Sequence, residues 1–318
     1  MHNALAIANY RKVYDEQDIE HALAETEPSP HNGLLIKTYG KMKDKGGTRL
    51  VVKPSNADAL DEVSENCPNF ANIVQDLKKY IVLALDGSKP LHFMPILLLG
   101  DPGVGKTHFA KKLADALGTS AAFCSMATTS ASWILTGSAS TWSGAHHGKI
   151  AQTLIEDDVA NPLMVLDELD KAQGGQYDPI GALYQLFERE TAAHFTDEFL
   201  DVPFDASAIL WVATANSAQN IPDPILSRMA VYEVPTPTPE QARHIALRMY
   251  RGLIAENGWN FGPDLGEAVL ELLETTLPRR MRRVLMDAMG TAKLAGRNEL
   301  SPADFARDNS PKRSIGFN

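Results

Sequence analysis

The octapeptide "GDPGVGKT", Gly100 to Thr107, has the spacing GxxxxGK(S/T), and each of its positions has a chemical use. Gly100, Gly103 and Gly105, with Asp101, Pro102 and Val104 between them, let backbone N–H groups curl round phosphate oxygens. Lys106 is placed to reach β- and γ-phosphates, and the Thr107 hydroxyl is a ligand for Mg²⁺. The chemistry is the binding of a nucleoside triphosphate. A second group follows in "LMVLDELD", an apolar run ending in Asp167 and Glu168. Acids after a strand are usually a solvated turn; behind a phosphate loop, Asp167 is placed for Mg²⁺ and Glu168 to deprotonate an attacking water. A third is Asn216, a polar residue closing the apolar run "AILWVATAN", either as a turn residue or to hold water or the γ-phosphate.

Two sets of arginines complete the inventory. Arg228, in "IPDPILSRMAVYEVP", lies between a proline turn and an apolar run, and phosphoryl transfer often takes such a positive charge from a neighbouring subunit. In "LPRRMRR", Pro278 opens a helix whose first turn carries Arg279 and Arg280, which the helix dipole disfavours unless a polyphosphate faces them.

These residues need a scaffold, and the sequence supplies one. Short apolar runs ("MPILLLG", "AAFCSM", "PLMVLDE", "AILWVATA", "AVYEV") alternate with helical patterns, which predicts a parallel β-sheet covered by helices. This α/β region covers residues 66–235, opening with the amphipathic "FANIVQDLKKYIVLAL". After "PTPTPEQ" only helical patterns remain, and Thr238 with Gln241 reads as a capping box. A small all-helical domain is expected over 238–310, with a tail at 311–318. Residues 1–65 have no assigned role; "EQDIEHALAETE" reads as a short helix and "GLLIKTYGKMKDKGGTRLVVKPS" as two strands joined by a turn.

The chain has 318 residues with 30 basic against 40 acidic side chains, a net charge of −10, which argues against nucleic acid or an anionic membrane as the bulk partner. Its longest apolar run, "FMPILLLG", is too short to span a bilayer. No secretory signal opens it, and Cys67 and Cys124 form neither a disulfide framework nor a zinc motif, so a cytoplasmic setting is expected.

Across residues 70–300 the sequence resembles the AAA+ ATPases, and within them the ATPase module of the Lon proteases. The resemblance is carried by "GAHHGKIAQTLIEDDVANPLMVLDELDKAQGGQYDPIGALYQLFERE" and "ATANSAQNIPDPILSRMAVYEV". It implies an AAA+ fold with a helical lid, and ATP with Mg²⁺ as substrate and cofactor. Lys106 and Thr107 would be Walker A, Asp167 and Glu168 Walker B, Asn216 sensor 1, Arg228 the arginine finger and Arg279 sensor 2, with Arg280, Arg282 and Arg283 competing for that last role. It also implies a homo-oligomeric ring, by default a hexamer, acting on polypeptide.

In that likeness Trp142, set in the polar stretch "TGSASTWSGAHHGK", takes the place of the aromatic that grips polypeptide in the central pore. Read from its residues alone, such a Trp either reaches back to the core or serves something outside. Here it is followed by "SGAHH", where Lon-like loops have an aliphatic residue and "GAMPG". The neighbouring His146 and His147 cannot share a helical face as metal ligands. The sequence ends at "SPKRSIGFN" soon after the helical region, so the expectation is an ATPase without its own peptidase activity. Alternative readings are a nucleic-acid-dependent motor or loader, on the clusters "RRMRR" and "KTYGKMKDK", and a nucleotide switch controlling a partner protein.

Overall fold

The computed structural model describes residues 6–87, 89–128, 132–172 and 178–305; the expected tail at 311–318 lies outside them. The chain forms two compact units, one of Met1–Ser64, Ala71–Gly100 and Lys106–Val234, the other of Glu65–Phe70, Asp101–Gly105 and Pro235–Asn318.

The first unit opens with β1 (Ala6–Lys12), α1 (Glu16–Glu25), α2 (Gly33–Lys45) and β2 (Thr48–Lys53), with β1 and β2 paired antiparallel. The helix expected in "EQDIEHALAETE" is α1, begun where the Asp15 carboxylate accepts the Gln17 N–H. The two strands expected in "GLLIKTYGKMKDKGGTRLVVKPS" are instead a helix and a strand. Leu35, Tyr39 and Met42 recur at helical spacing and are buried together, and the helix runs on until Gly46, at φ 71°, turns the chain out. Those side chains share one core with Tyr14, Ile19, Val51 and the central sheet, so the N-terminal residues pack as part of this unit. β2 is also stitched to the segment before the sheet's inner strand, because the Asn161 side chain bonds both N–H and C=O of Val52.

Next come α3 (Asp61–Asn66), which runs across the unit boundary, and α4 (Ala71–Asp86), which buries Ile73, Val74, Leu77 and Ile81. Then follow β3 (Ile96–Leu99), α5 (Lys106–Leu117), β4 (Ala121–Ser125), α6 (Trp133–Thr136), α7 (Lys149–Glu156) and β5 (Leu163–Asp167). After α8 (Gly181–Leu186) and α9 (Arg189–Ala192), a short hairpin of β6 (Phe195–Thr196) and β7 (Pro203–Phe204) leads to β8 (Leu210–Ala215), α10 (Asp223–Leu226) and β9 (Ala230–Glu233).

Five strands make a parallel sheet in the order β4-β5-β8-β3-β9. Every residue of β8 and the first four of β5 are buried, which is why these runs are continuously apolar rather than alternating. The order matters for chemistry. β5, β8 and β3 are neighbours, so whatever follows their carboxyl ends converges on one place, where ligands of open parallel sheets bind.

The second unit is helical among the described residues from Pro235 on. α11 (Pro239–Asn257) begins with the expected capping box, Gln241 N–H to Thr238 Oγ1 at 3.2 Å and Thr238 N–H to Gln241 Oε1 at 3.0 Å. It packs on α12 (Glu267–Leu273) and α13 (Pro278–Leu294) through Ile245, Tyr250, Leu253, Val269, Met281 and Leu285.

Candidate nucleotide site

β3 runs straight into the phosphate-loop sequence. Gly103 and Gly105 adopt φ of 93° and 105°, conformations closed to ordinary L-residues, and so permit the reversal that brings the chain to the start of α5. Phe109, Ala110, Leu113, Ala114 and Leu117 anchor that helix in its unit. Its first residue, Lys106, is buried at 8% exposure, and its Nζ donates to Gly100 O at 2.6 Å and to Asn216 Oδ1 at 3.0 Å. The lysine and the asparagine, 110 positions apart, therefore meet.

Asp167 also reaches the start of α5. Thr107 Oγ1 donates to Asp167 Oδ1 at 2.9 Å, so a hydroxyl and a carboxylate, two hard oxygen donors, stand side by side at the end of β5. That donor set suits Mg²⁺. Thr214 is a residue the sequence reading missed. Its hydroxyl, 2% exposed in β8, donates to the same Asp167 Oδ1 at 2.7 Å and accepts the Glu168 N–H at 3.0 Å. The only signal for it was a hydroxyl in an otherwise apolar strand, two residues before Asn216. Thr is common in strands, so the signal was weak.

Glu168 has left-handed backbone angles, φ 59° and ψ 50°, although it is not glycine. Such a conformation costs about 1–2 kcal/mol and persists where the surroundings hold it. Here Thr214 fixes its N–H, and its carbonyl accepts from Lys171 N at 2.9 Å. The turn leaves the Glu168 side chain exposed, next in sequence to the half-buried Asp167.

Arg228 makes none of these bonds. Its Nη1 donates to Pro224 O at 2.7 Å and its guanidinium lies 5.9 Å from the Tyr184 ring centre. Its Nε is 2.8 Å from Glu188 Oε1, an ion-pair distance although the N–H does not point along the contact. In the helical unit, Arg279 N–H donates to Gly103 O at 3.3 Å, and a Cβ on Gly103 would lie 3.4 Å from that of Arg279. Arg282 instead pairs with Glu256 at 2.8 Å.

Trp142 is 49% exposed, and its ring meets Trp133 edge-on with centroids 5.6 Å apart. One side of the ring thus meets the part-buried Trp133 at the start of α6, and about half of the side chain is left exposed. Burial lowers the pKa of His147, and among the described residues no group of three His, Cys, Asp or Glu side chains could hold a metal. No helix among them is long and apolar enough to cross a membrane.

Residues 96–235 match the family described as the ATPase family associated with various cellular activities (AAA). The chain is 38% identical over 193 residues to a Lon protease of Halothermothrix orenii, covering 59% of this chain and 25% of that protein. It is 38% identical over 192 residues to the peroxisomal Lon protease homolog 2 of Zea mays, covering 60% of this chain and 22% of that one. The chain thus spans a quarter or less of the length of these relatives. Among solved structures, a point mutant of RuvB from Thermotoga maritima superposes with a TM-score of 0.54 at 16% identity, covering 80% of this chain and 71% of that chain. Hsp104 in a closed state with ATPγS and casein gives 0.61 at 15% identity, covering 74% and 47%. At such identities the structures speak for the fold alone.

Proposed function

Residues 96–235 being an AAA domain similar in sequence to that of the Lon proteases, we propose that this protein is an ATP-hydrolysing ring ATPase that pulls on polypeptide. The observation that carries the ATPase reading is the convergence of Lys106, Thr107, Asp167, Glu168 and Asn216 at the carboxyl ends of three adjacent strands. Lys106 binds the terminal phosphates of ATP. Thr107 and Asp167 would hold Mg²⁺, which when bound neutralises β- and γ-phosphate charge. Glu168 takes the proton of the attacking water as it adds to the γ-phosphorus and the ADP oxygen departs. Asn216, within reach of Lys106 Nζ, orients that water or the γ-phosphate. Arg279, backed against Gly103, is the favoured sensor arginine over Arg282, which is engaged by Glu256.

Arg228 bonds to none of these groups in its own subunit, which fits a finger that serves a neighbour's nucleotide; head-to-tail contacts of that kind close into rings. The remodelling role rests on the Lon-like sequence around Trp142 and on that ring's outward exposure. No peptidase activity is assigned to the chain itself.

The test is a trap. Glu168→Gln should bind ATP, stall, and retain an unfolded polypeptide such as labelled casein, while Lys106→Ala should bind neither nucleotide nor casein. Glu168→Gln hydrolysing at the wild-type rate would remove its assigned role, and stalled protein that ignores polypeptide but retains DNA would replace the remodeller by a nucleic-acid motor.

A further inference from the structure

The Trp142 loop leaves the fold at Gly137 and returns at Gly148, and these two residues form a closed neck. A Cβ on Gly148 would meet Leu135 O at 2.2 Å and Gly137 N at 2.3 Å, so nothing but glycine fits the return. Just beyond the neck, Ser138 N–H donates to His146 O and His146 N–H to Ser138 Oγ, both at 3.1 Å.

Asp197, from the connection between β6 and β7, is pressed against this neck with 0% exposure. Its Oδ2 accepts the Gly148 N–H at 2.7 Å, while Oδ1 accepts Phe199 N–H at 3.0 Å and Leu200 N–H at 3.1 Å. A Cβ on Gly137 would come within 2.5 Å of Oδ1, so the carboxylate lies flat on that α-carbon. Beside it, Glu198 N–H donates to Thr136 O at 2.7 Å. On the far side, the Tyr39 hydroxyl of α2 donates to Leu200 O, bracing the turn from the N-terminal helices.

A buried carboxylate is costly unless hydrogen bonds compensate it. None of the ion pairs of the described residues involves Asp197, and burial pushes its pKa up to about 6 against the pull of the three N–H donors. Those donors come from two segments 49 or more positions apart along the chain, the return of the Trp142 loop and the turn after β6. A group that joins such segments at a single point determines where one stands relative to the other. We propose that Asp197 is a positioning residue that anchors the neck of the Trp142 loop and so sets where Trp142 presents itself to polypeptide. The functional half of this inference rests on the proposed polypeptide-pulling role; the anchoring half does not.

Asp197→Asn is the informative variant because it preserves shape. Whichever way the amide is turned, its NH₂ faces at least one backbone N–H, so the three bonds cannot all survive. Hydrogen exchange should show the amides of Gly148 and Ser138 exchanging at least about tenfold faster in Asp197→Asn, with the amides of β5 unchanged. The ratio of casein-stimulated to basal ATPase should fall as it does in Trp142→Ala. Unchanged exchange at Gly148 overturns the anchor. Faster exchange with an intact ratio, where Trp142→Ala collapses it, overturns the positioning role. Faster exchange with neither variant altering the ratio leaves the anchor standing and removes the pore reading instead. Should Asp197→Asn fail to fold, the unaltered protein decides: Gly148, Phe199 and Leu200 amides held by one carboxylate should share one opening free energy, and a freely exchanging Gly148 overturns the proposal.

Discussion

Replacing Thr214 by valine removes one oxygen and leaves the shape of β8 intact. In the native site that oxygen donates to Asp167 Oδ1 at 2.7 Å and accepts the Glu168 N–H at 3.0 Å. The first bond is to a carboxylate and contributes about 1.5–3 kcal/mol, and the second, to a partly buried backbone N–H, about 1 kcal/mol. The added methyl sits in an apolar strand and recovers part of this, so the net loss of stability is expected at about 1–3 kcal/mol, a fall in Tm of roughly 3–10 °C. The larger effect is on catalysis. Glu168 occupies its left-handed conformation with Thr214 as one of two backbone tethers, and a displacement of a reacting group by about 1 Å costs on the order of a hundredfold in rate. Phosphate release at saturating ATP should therefore fall about 10–100-fold, with nucleotide affinity within about threefold of wild type, because Lys106 and its loop bond elsewhere. Thr214→Ser restores the hydroxyl and should recover most of the rate. A Thr214→Val protein that hydrolyses ATP at the wild-type rate, or one equally damaged by serine, would refute the tethering argument.

Arg228→Ala should bind ATP yet lose hydrolysis by about a thousandfold, the usual scale of an arginine finger, while its melting temperature barely moves because the Glu188 pair is part-exposed. Mixing it with Lys106→Ala subunits should restore part of the activity; strictly additive inactivity in the mixture would mean that the arginine does not act across subunits. Asp197 carries a pH signature: its folded pKa of about 6 exceeds the ordinary carboxyl value of 3.8, so the native state binds the extra proton. Stability from this group is full below about pH 4 and is lost as pH rises through about 6, a change on the order of 3 kcal/mol. Denaturation at pH 4.5 and 7 should show that slope in the wild type and its reduction in Asp197→Asn, and identical slopes would contradict it.

The phosphate loop was legible because its chemistry is local: eight consecutive residues with glycines where φ is positive and a lysine and threonine at the start of a helix. The sheet was legible because strands buried on both faces must be apolar throughout, as β5 and β8 are. The helix over Gly33–Lys45 was misread, since Leu35, Tyr39 and Met42 show their helical spacing only once a core is known to lie on that side. Thr214 and Asp197 were missed for another reason. One is a hydroxyl in a strand and the other an acid in a turn, both ordinary in sequence, and their importance comes from partners 46 to 49 positions away.

By itself, then, the amino-acid sequence determined the phosphate-loop pattern and the fold that carries it, because a phosphate loop and a buried parallel sheet are written in short-range patterns of residue type. Only the tertiary structure decided how the acids are held, which way Arg228 is turned, that Tyr14, Ile19, Leu35, Tyr39, Met42 and Val51 share the core of the sheet, and that the Trp142 loop is tied down by a buried carboxylate. Each of those depends on a hydrogen bond, ion pair or packing contact between distant segments, and the residue types alone leave many such pairings open until the chain has folded.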